Sequence, residues 1–154
     1  MDQHCFNIER IAGALAAVGD RSSDYDLDPS MRPAPQTFRS ASVLVPLVER
    51  GAGLDVLLTQ RAARLAHHPG QVAFPGGKQE EGDPDAAATA LREAEEEIGL
   101  PRSSVQMLGA FDPHETVTHF LVTPFVGLVT GPFTPRLDRA EVDEMFEVPL
   151  AFAL

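Results

Sequence analysis

Residues 76–100, GGKQEEGDPDAAATALREAEEEIGL, decide the fold. Asp83 and Pro84 read as N-cap and first helical residue, and Gly99 as the stop, which predicts a helix reaching about Ile98. At about 100° per residue, Glu93, Glu96 and Glu97 fall within a ~100° arc, and Ala87, Ala90, Leu91, Ala94 and Ile98 fill the neighbouring face. The helix therefore has one apolar face to bury and one edge of clustered carboxylates. Three adjacent acids repel one another unless a cation sits among them, and a hard divalent metal suits oxygen donors. The glycine pair before the helix lets the backbone turn or approach a ligand closely.

Upstream, QVAFP (71–75) is a short strand entering the glycines. ASVLVPLVE (41–49) and LDVLLTQR (54–61) are β-rich runs joined through a glycine-containing turn, with Pro46 hinting at an edge or a bulge. Residues 6–18 place Phe6, Ile8, Ile11, Ala12 and Leu15 at helical spacing, with Gly19 as the expected stop. Residues 20–38 carry three prolines and read as an extended connection across the surface. Downstream, SVQMLGAF and HFLVTPFVGLV read as strands, with Thr116–Thr118 favouring extended structure. RAEVDEMFEVPL reads as a turn followed by a short helix or strand. The order supports an α+β architecture, a mixed sheet between helices.

A chain of 154 residues is expected to form one domain. We divide it into an N-terminal helix and proline-containing connection at 1–39, belonging to the same domain, and the main body at 40–154. A formal net charge of −11 argues against binding a nucleic-acid backbone. It also means that an anionic substrate needs metal ions to offset repulsion. No apolar run approaches the length of a membrane span, and MDQHCFNIER lacks a secretory layout, so no membrane partner is expected. The lone cysteine, Cys5, points to a reducing, cytoplasmic setting.

The strand ending in Phe-Pro-Gly-Gly followed by Arg92-Glu-Ala-Glu-Glu-Glu-Ile-Gly-Leu100 resembles the Nudix box of the diphosphate hydrolase superfamily, a glycine and then REUxEExGU with U aliphatic. The loop is one residue longer than that pattern, and Pro84 stands at its upstream glutamate. LLTQRAARLAHHPGQVAFPGG (57–77) in turn resembles the coenzyme A diphosphatase branch, LLTxRxxxLxxHxGxVxFPGG, in which a longer box with two acids is usual. Glu80 and Asp83 occupy those two positions here. Branch members usually continue past the equivalent of Leu150, so the domain is expected to be C-terminally short.

The resemblance implies a Nudix fold, an α/β/α sandwich carrying a loop-helix-loop catalytic motif. It also implies metal-dependent hydrolysis of the diphosphate of coenzyme A or its derivatives, giving 3′,5′-ADP and 4′-phosphopantetheine or its acyl form. Glu93, Glu96 and Glu97 would bind Mg²⁺ or Mn²⁺, with the Gly77 backbone carbonyl near the metal. Arg92 would hold those carboxylates in place. The general base would be Glu93, or Glu141 or Glu144 in the late acidic loop. Arg61, His68 and Gly70, with Gly76 and Gly77, would meet the substrate. His67 reads as solvent-facing, His114 and His119 as loop histidines, and Phe74, Phe120 and Phe125 as core. Two other readings compete. One is a Nudix hydrolase of ADP-ribose, a dinucleotide or a nucleoside triphosphate. The other is a non-catalytic Nudix-like nucleotide-binding module. The expected partner is a small nucleotide diphosphate, and pairing into a homodimer stays open.

Overall fold

The computed structural model describes residues 7–17, 19–34, 37–51 and 53–152. Cys5 and Phe6 lie outside them. In chain order the elements are α1 (Ile8–Leu15), β1 (Ser22–Ser23), β2 (Arg39–Arg50), β3 (Gly53–Arg61), β4 (Val72–Ala73), β5 (Gly76–Lys78), α2 (Ala86–Ile98), β6 (Val105–Ala110), β7 (His114–Glu115), β8 (Phe120–Val129) and β9 (Val142–Pro149).

The strands form one mixed sheet around the parallel pair β2 and β8, which run together from Arg39/Phe120 to Leu47/Leu128. β6 and β7 join β8 antiparallel, and β3 joins β2 through the expected hairpin. β9 and β4 then pair with opposite sides of β3, and β5 with the start of β2. Alternation along the strands sorts their side chains onto two faces. Leu44, Val48 and Leu57 meet Ala90, Ala94 and Ile98 of α2 on one face. Leu47, Leu54, Val56, Val126 and Leu128 receive Ile8, Ile11 and Leu15 of α1 on the other. The sheet is thus sandwiched by two helices, as the patterning predicts.

Several local expectations are corrected. α2 starts at Ala86 with Asp85 as its N-cap, accepting from the Ala88 N–H at 2.7 Å, so Asp83 and Pro84 lie outside the helix. Its C-terminal end is as expected, with Gly99 left-handed at φ 73°. α1 ends at Leu15, before Gly19, and Ala16 and Ala17 just beyond it are exposed. Pro46 stands at neither an edge nor a bulge. Leu44 N–H donates to Pro75 O, so Pro46, two residues on, faces the interval between β5 and β3, where no ladder donor is needed.

Within the 20–38 segment, residues 22–32 are more structured than an extended connection. β1 pairs parallel with β7, Ser23 and Asp26 form a capping box, and Arg21 and Arg32 both bind the buried Glu115, at 3.2 and 2.8 Å. Thr116–Thr118 belong to a turn, closed by His119 N–H to Thr116 O at 3.0 Å, with His119 at φ 64°. The Thr116 hydroxyl oxygen accepts from Phe120 N–H, a local bond that competes with extended pairing. Residues 142–149 resolve into a strand.

Candidate active site

Glu93, Glu96 and Glu97 lie on consecutive turns of α2, but their surroundings differ. Glu97 is 6% exposed, Glu93 has a side-chain exposure of 13%, and Glu96 remains 57% exposed. Burial comes first in pushing the Glu97 carboxyl up to about 8, and the neighbouring Glu93 and Glu141 add to it. The Gly76 backbone N–H and the charge of Arg61 act in the opposite direction. Burial also raises Glu93, against the opposing influence of Arg92.

β5 brings the glycines against these acids. Gly77 has ordinary backbone angles, yet a Cβ placed on it would overlap the Glu93 carboxylate. A Cβ on Gly76 would instead strike Ser42 O and Val43 of β2. The pair is needed for close approach, Gly77 by the helix and Gly76 by the sheet.

Arg92 locks the loop to the helix. Its Nε and Nη2 reach the two carboxylate oxygens of Asp83 at 2.9 and 3.1 Å, and Nη2 also donates to Lys78 O at 3.0 Å. Nη1 bridges Glu93 and Glu96, each at 3.1 Å. Asp83 further accepts from Glu80 N–H at 2.9 Å and the Thr89 hydroxyl at 3.0 Å. The Arg92 fork, followed by the Glu80 N–H, holds the Asp83 carboxyl well below the usual range, and Asp83 in turn raises Arg92. Asp83 thus anchors the arginine from the longer loop, a partnership that neither its reading as a helix cap nor its place as a box acid specified. Replacing it with alanine is expected to free the 78–83 loop, lower the melting temperature and weaken metal binding about tenfold or more. Asp83→Glu should recover part of the loss, and calorimetry of Mn²⁺ binding in the three proteins checks this.

The late acids separate. Glu141 adjoins Glu93 and Glu97 closely enough to raise both. Glu144 is paired with Gln60 in the sheet. Met145 packs in the cluster beneath α2 and Val148 in the cluster beneath α1, so Glu144 shares the α1 face and points away from Glu97. Arg61, at the end of β3, bears on Glu97, donates from Nη2 to His67 O at 3.3 Å, and has a buried Nε with no protein partner. Gly70, at φ 70°, returns the chain by donating to Arg61 O. His67 and His68 are exposed, and His68 is held at φ 52°. His114 is fixed between Ser22 and Asp24, at 2.7 and 2.8 Å. Phe125 packs in the core, whereas Phe74 is 37% exposed.

The donor chemistry suits a hard divalent cation, since Glu93, Glu97 and Glu141 carry oxygen donors whose mutual repulsion such an ion would relieve. Among the described residues, no three acidic, histidine or cysteine side chains yet converge on one point. Glu93 and Glu96 are turned toward Arg92.

Residues 37–153 match the family model described as NUDIX domain. The chain belongs to the NUDIX domain family. It is 44% identical over 128 residues to proteins named uncharacterized Nudix hydrolase NudL from Shigella flexneri and Escherichia coli K12, an alignment covering 83% of this chain. The alignment spans 66% of those relatives' length, just under two thirds. Among solved structures, a C. elegans Ap4A hydrolase binary complex superposes with a TM-score of 0.62 at 19% identity, over 75% of this chain and 82% of that one. The NUDIX domain of Shewanella oneidensis NrtR complexed with ADP ribose gives 0.57 at 20% identity, over 84% of each. At these identities the structures attest the Nudix fold, with its mixed sheet and two helices. No described helix is long and apolar enough to cross a membrane.

Proposed function

We propose that this NUDIX domain hydrolyses a nucleoside diphosphate-X substrate with Mg²⁺ or Mn²⁺, and that the substrate is coenzyme A or one of its derivatives. One observation carries the reading. Gly76 and Gly77 of the FPGG strand lie against Glu97 and Glu93, and Arg61 of LLTQR bears on Glu97, so both sequence signatures meet at one carboxylate.

Glu93 and Glu97, with Glu96 and the Gly77 carbonyl, would hold the ion, which would lower the pKa of a bound water and draw charge from the diphosphate oxygens. Arg92 keeps Glu93 and Glu96 oriented and is itself fixed by Asp83. A carboxylate oxygen of Glu141 or Glu93 takes the proton of the attacking water. Arg61 supplies a guanidinium to a phosphate, with His68 and Gly70 shaping the loop around it. The diphosphate P–O bond breaks, leaving 3′,5′-ADP and 4′-phosphopantetheine.

A panel of coenzyme A, ADP-ribose, diadenosine polyphosphates and nucleoside triphosphates, each with Mg²⁺ and Mn²⁺, tests the assignment. Coenzyme A is expected to turn over fastest, with loss of activity on chelation. Vigorous ADP-ribose cleavage with intact coenzyme A would move the substrate elsewhere in the family. Nucleotide binding without any hydrolysis would make the chain a binding module.

A further inference from the structure

On the α1 face, α1 packs on the cluster of Leu47, Leu54, Val56, Val126 and Leu128. At the beginnings of β2 and β8, Arg39 and Ser40 are exposed, and Ala41 and Phe120 are only partly buried. In-register partners share a face, which places His114, Val122, Ala41 and Lys78 in one row, with Phe120 and Arg39 in the next. Ala41 is the small residue between Val122 and Lys78.

Two cations stand near the Phe120 ring beside this row. The Arg39 guanidinium carbon stands 4.2 Å from the centre of the Phe120 ring and the Lys78 ammonium 6.0 Å from it. Neither makes an ion pair among the described residues, although the chain carries a net charge of −11. Both line an open cavity of about 520 Å³, together with Ser40 and Gln79. Three acids line it as well: Asp83 is consumed by Arg92, Glu80 leans toward the same arginine at 3.8 Å, and Glu81 is exposed to solvent. Like charges gathered over one aromatic ring repel each other, and an anion placed between them reverses that term.

We propose that Arg39 and Lys78, both held near the Phe120 ring, form an oxyanion site that grips a phosphate group from the cavity they line. Gly77 and Lys78 are consecutive, so their side-chain directions fall on opposite faces of β5. Lys78 therefore presents its ammonium to this cavity while its carbonyl oxygen holds Arg92 of the catalytic loop. The bound group is either a phosphate monoester on the substrate or free phosphate, and the chemistry of the grip is the same for both.

Calorimetry of inorganic phosphate with the metal-free full chain, at constant ionic strength, tests the site without calling on hydrolysis. Wild type is expected to bind saturably, with amide shifts at Ala41, Lys78 and Phe120, and Arg39→Gln/Lys78→Gln to bind at least about tenfold more weakly. Absence of saturable binding in wild type, or equal binding by the double variant, overturns the proposal. If the chain also hydrolyses the proposed substrates, KM distinguishes the two sources. A rise confined to substrates bearing an extra phosphate monoester assigns the site to substrate, and lost phosphate binding without that rise assigns it to the free ion. A chain that binds phosphate here and hydrolyses nothing would sink the proposed function and leave this site standing.

Discussion

Glu97→Gln is expected to lower metal-dependent turnover on the order of 10³-fold, the scale of the several kcal/mol that a bound metal ion supplies, while making the metal-free protein more stable at alkaline pH. The two effects share one cause. Glu97 is buried beside Glu93 and Glu141, and its carboxyl titrates at about 8 in the folded chain. In the unfolded chain it titrates near 4.3. Below that value both states hold the proton and the residue contributes no pH dependence. Between about 4.3 and 8 the folded state keeps a proton that the unfolded state has released, so stability falls as pH rises. The loss is complete above pH 8 and amounts to a few kcal/mol. Glutamine cannot ionise, and its amide oxygen can still accept from the Gly76 N–H. The melting temperatures of variant and wild type should therefore coincide near pH 4 and diverge steadily up to pH 8, and added Mg²⁺ or Mn²⁺ should narrow the gap by stabilising wild type alone. Parallel pH profiles would refute the burial argument, and undiminished turnover would refute the role of Glu97 at the metal.

Much of this was legible because α2 states its structure twice. Ala90, Ala94 and Ile98 recur at the spacing that a buried face requires, and Gly99 marks the one residue that must turn left-handed. The hairpin between β2 and β3 was legible for a similar reason, with period-two strands flanking a glycine turn. What could not be read depends on contacts between distant segments. Asp83 looks like a helix cap in sequence, and only the fold shows that Arg92, nine residues on, claims its carboxylate. Glu141 and Glu144 are equivalent as letters, yet the two-residue period of β9, interrupted where Arg61 pairs with Val142, sends Glu144 to the other face. Phe120 fits the composition of a core strand. It is only partly buried, with the Arg39 guanidinium over its ring. A signal existed, since Arg39 and Lys78 are isolated cations in an acidic chain, but their convergence follows from the pairing of β2 with both β5 and β8.

The adjacent glycines give the sharpest separation of stability from function. Gly77→Ala is expected to cost about 10²-fold in turnover, the scale of an ångström misplacement at a reacting centre, with little change in melting temperature. Its backbone angles suit alanine, and the atoms nearest the new methyl group are those of the Glu93 carboxylate, the far end of a flexible side chain. Glu93 can swing aside without disturbing the core, but it then leaves both Arg92 and the position from which it would hold a metal. Gly76→Ala meets Ser42 O and the Val43 backbone, which cannot yield without parting β5 from β2. Overpacking of that kind destabilises by about 1–3 kcal/mol, which predicts a melting temperature lower by several degrees for a domain of this size. Thermal melts and Mn²⁺ titrations of the two variants check the contrast. Matching melting temperatures, or full metal affinity in Gly77→Ala, would show that the glycines serve the turn alone. The predicted split arises because a strand only three residues long presents its second residue to the catalytic helix and its first to the sheet.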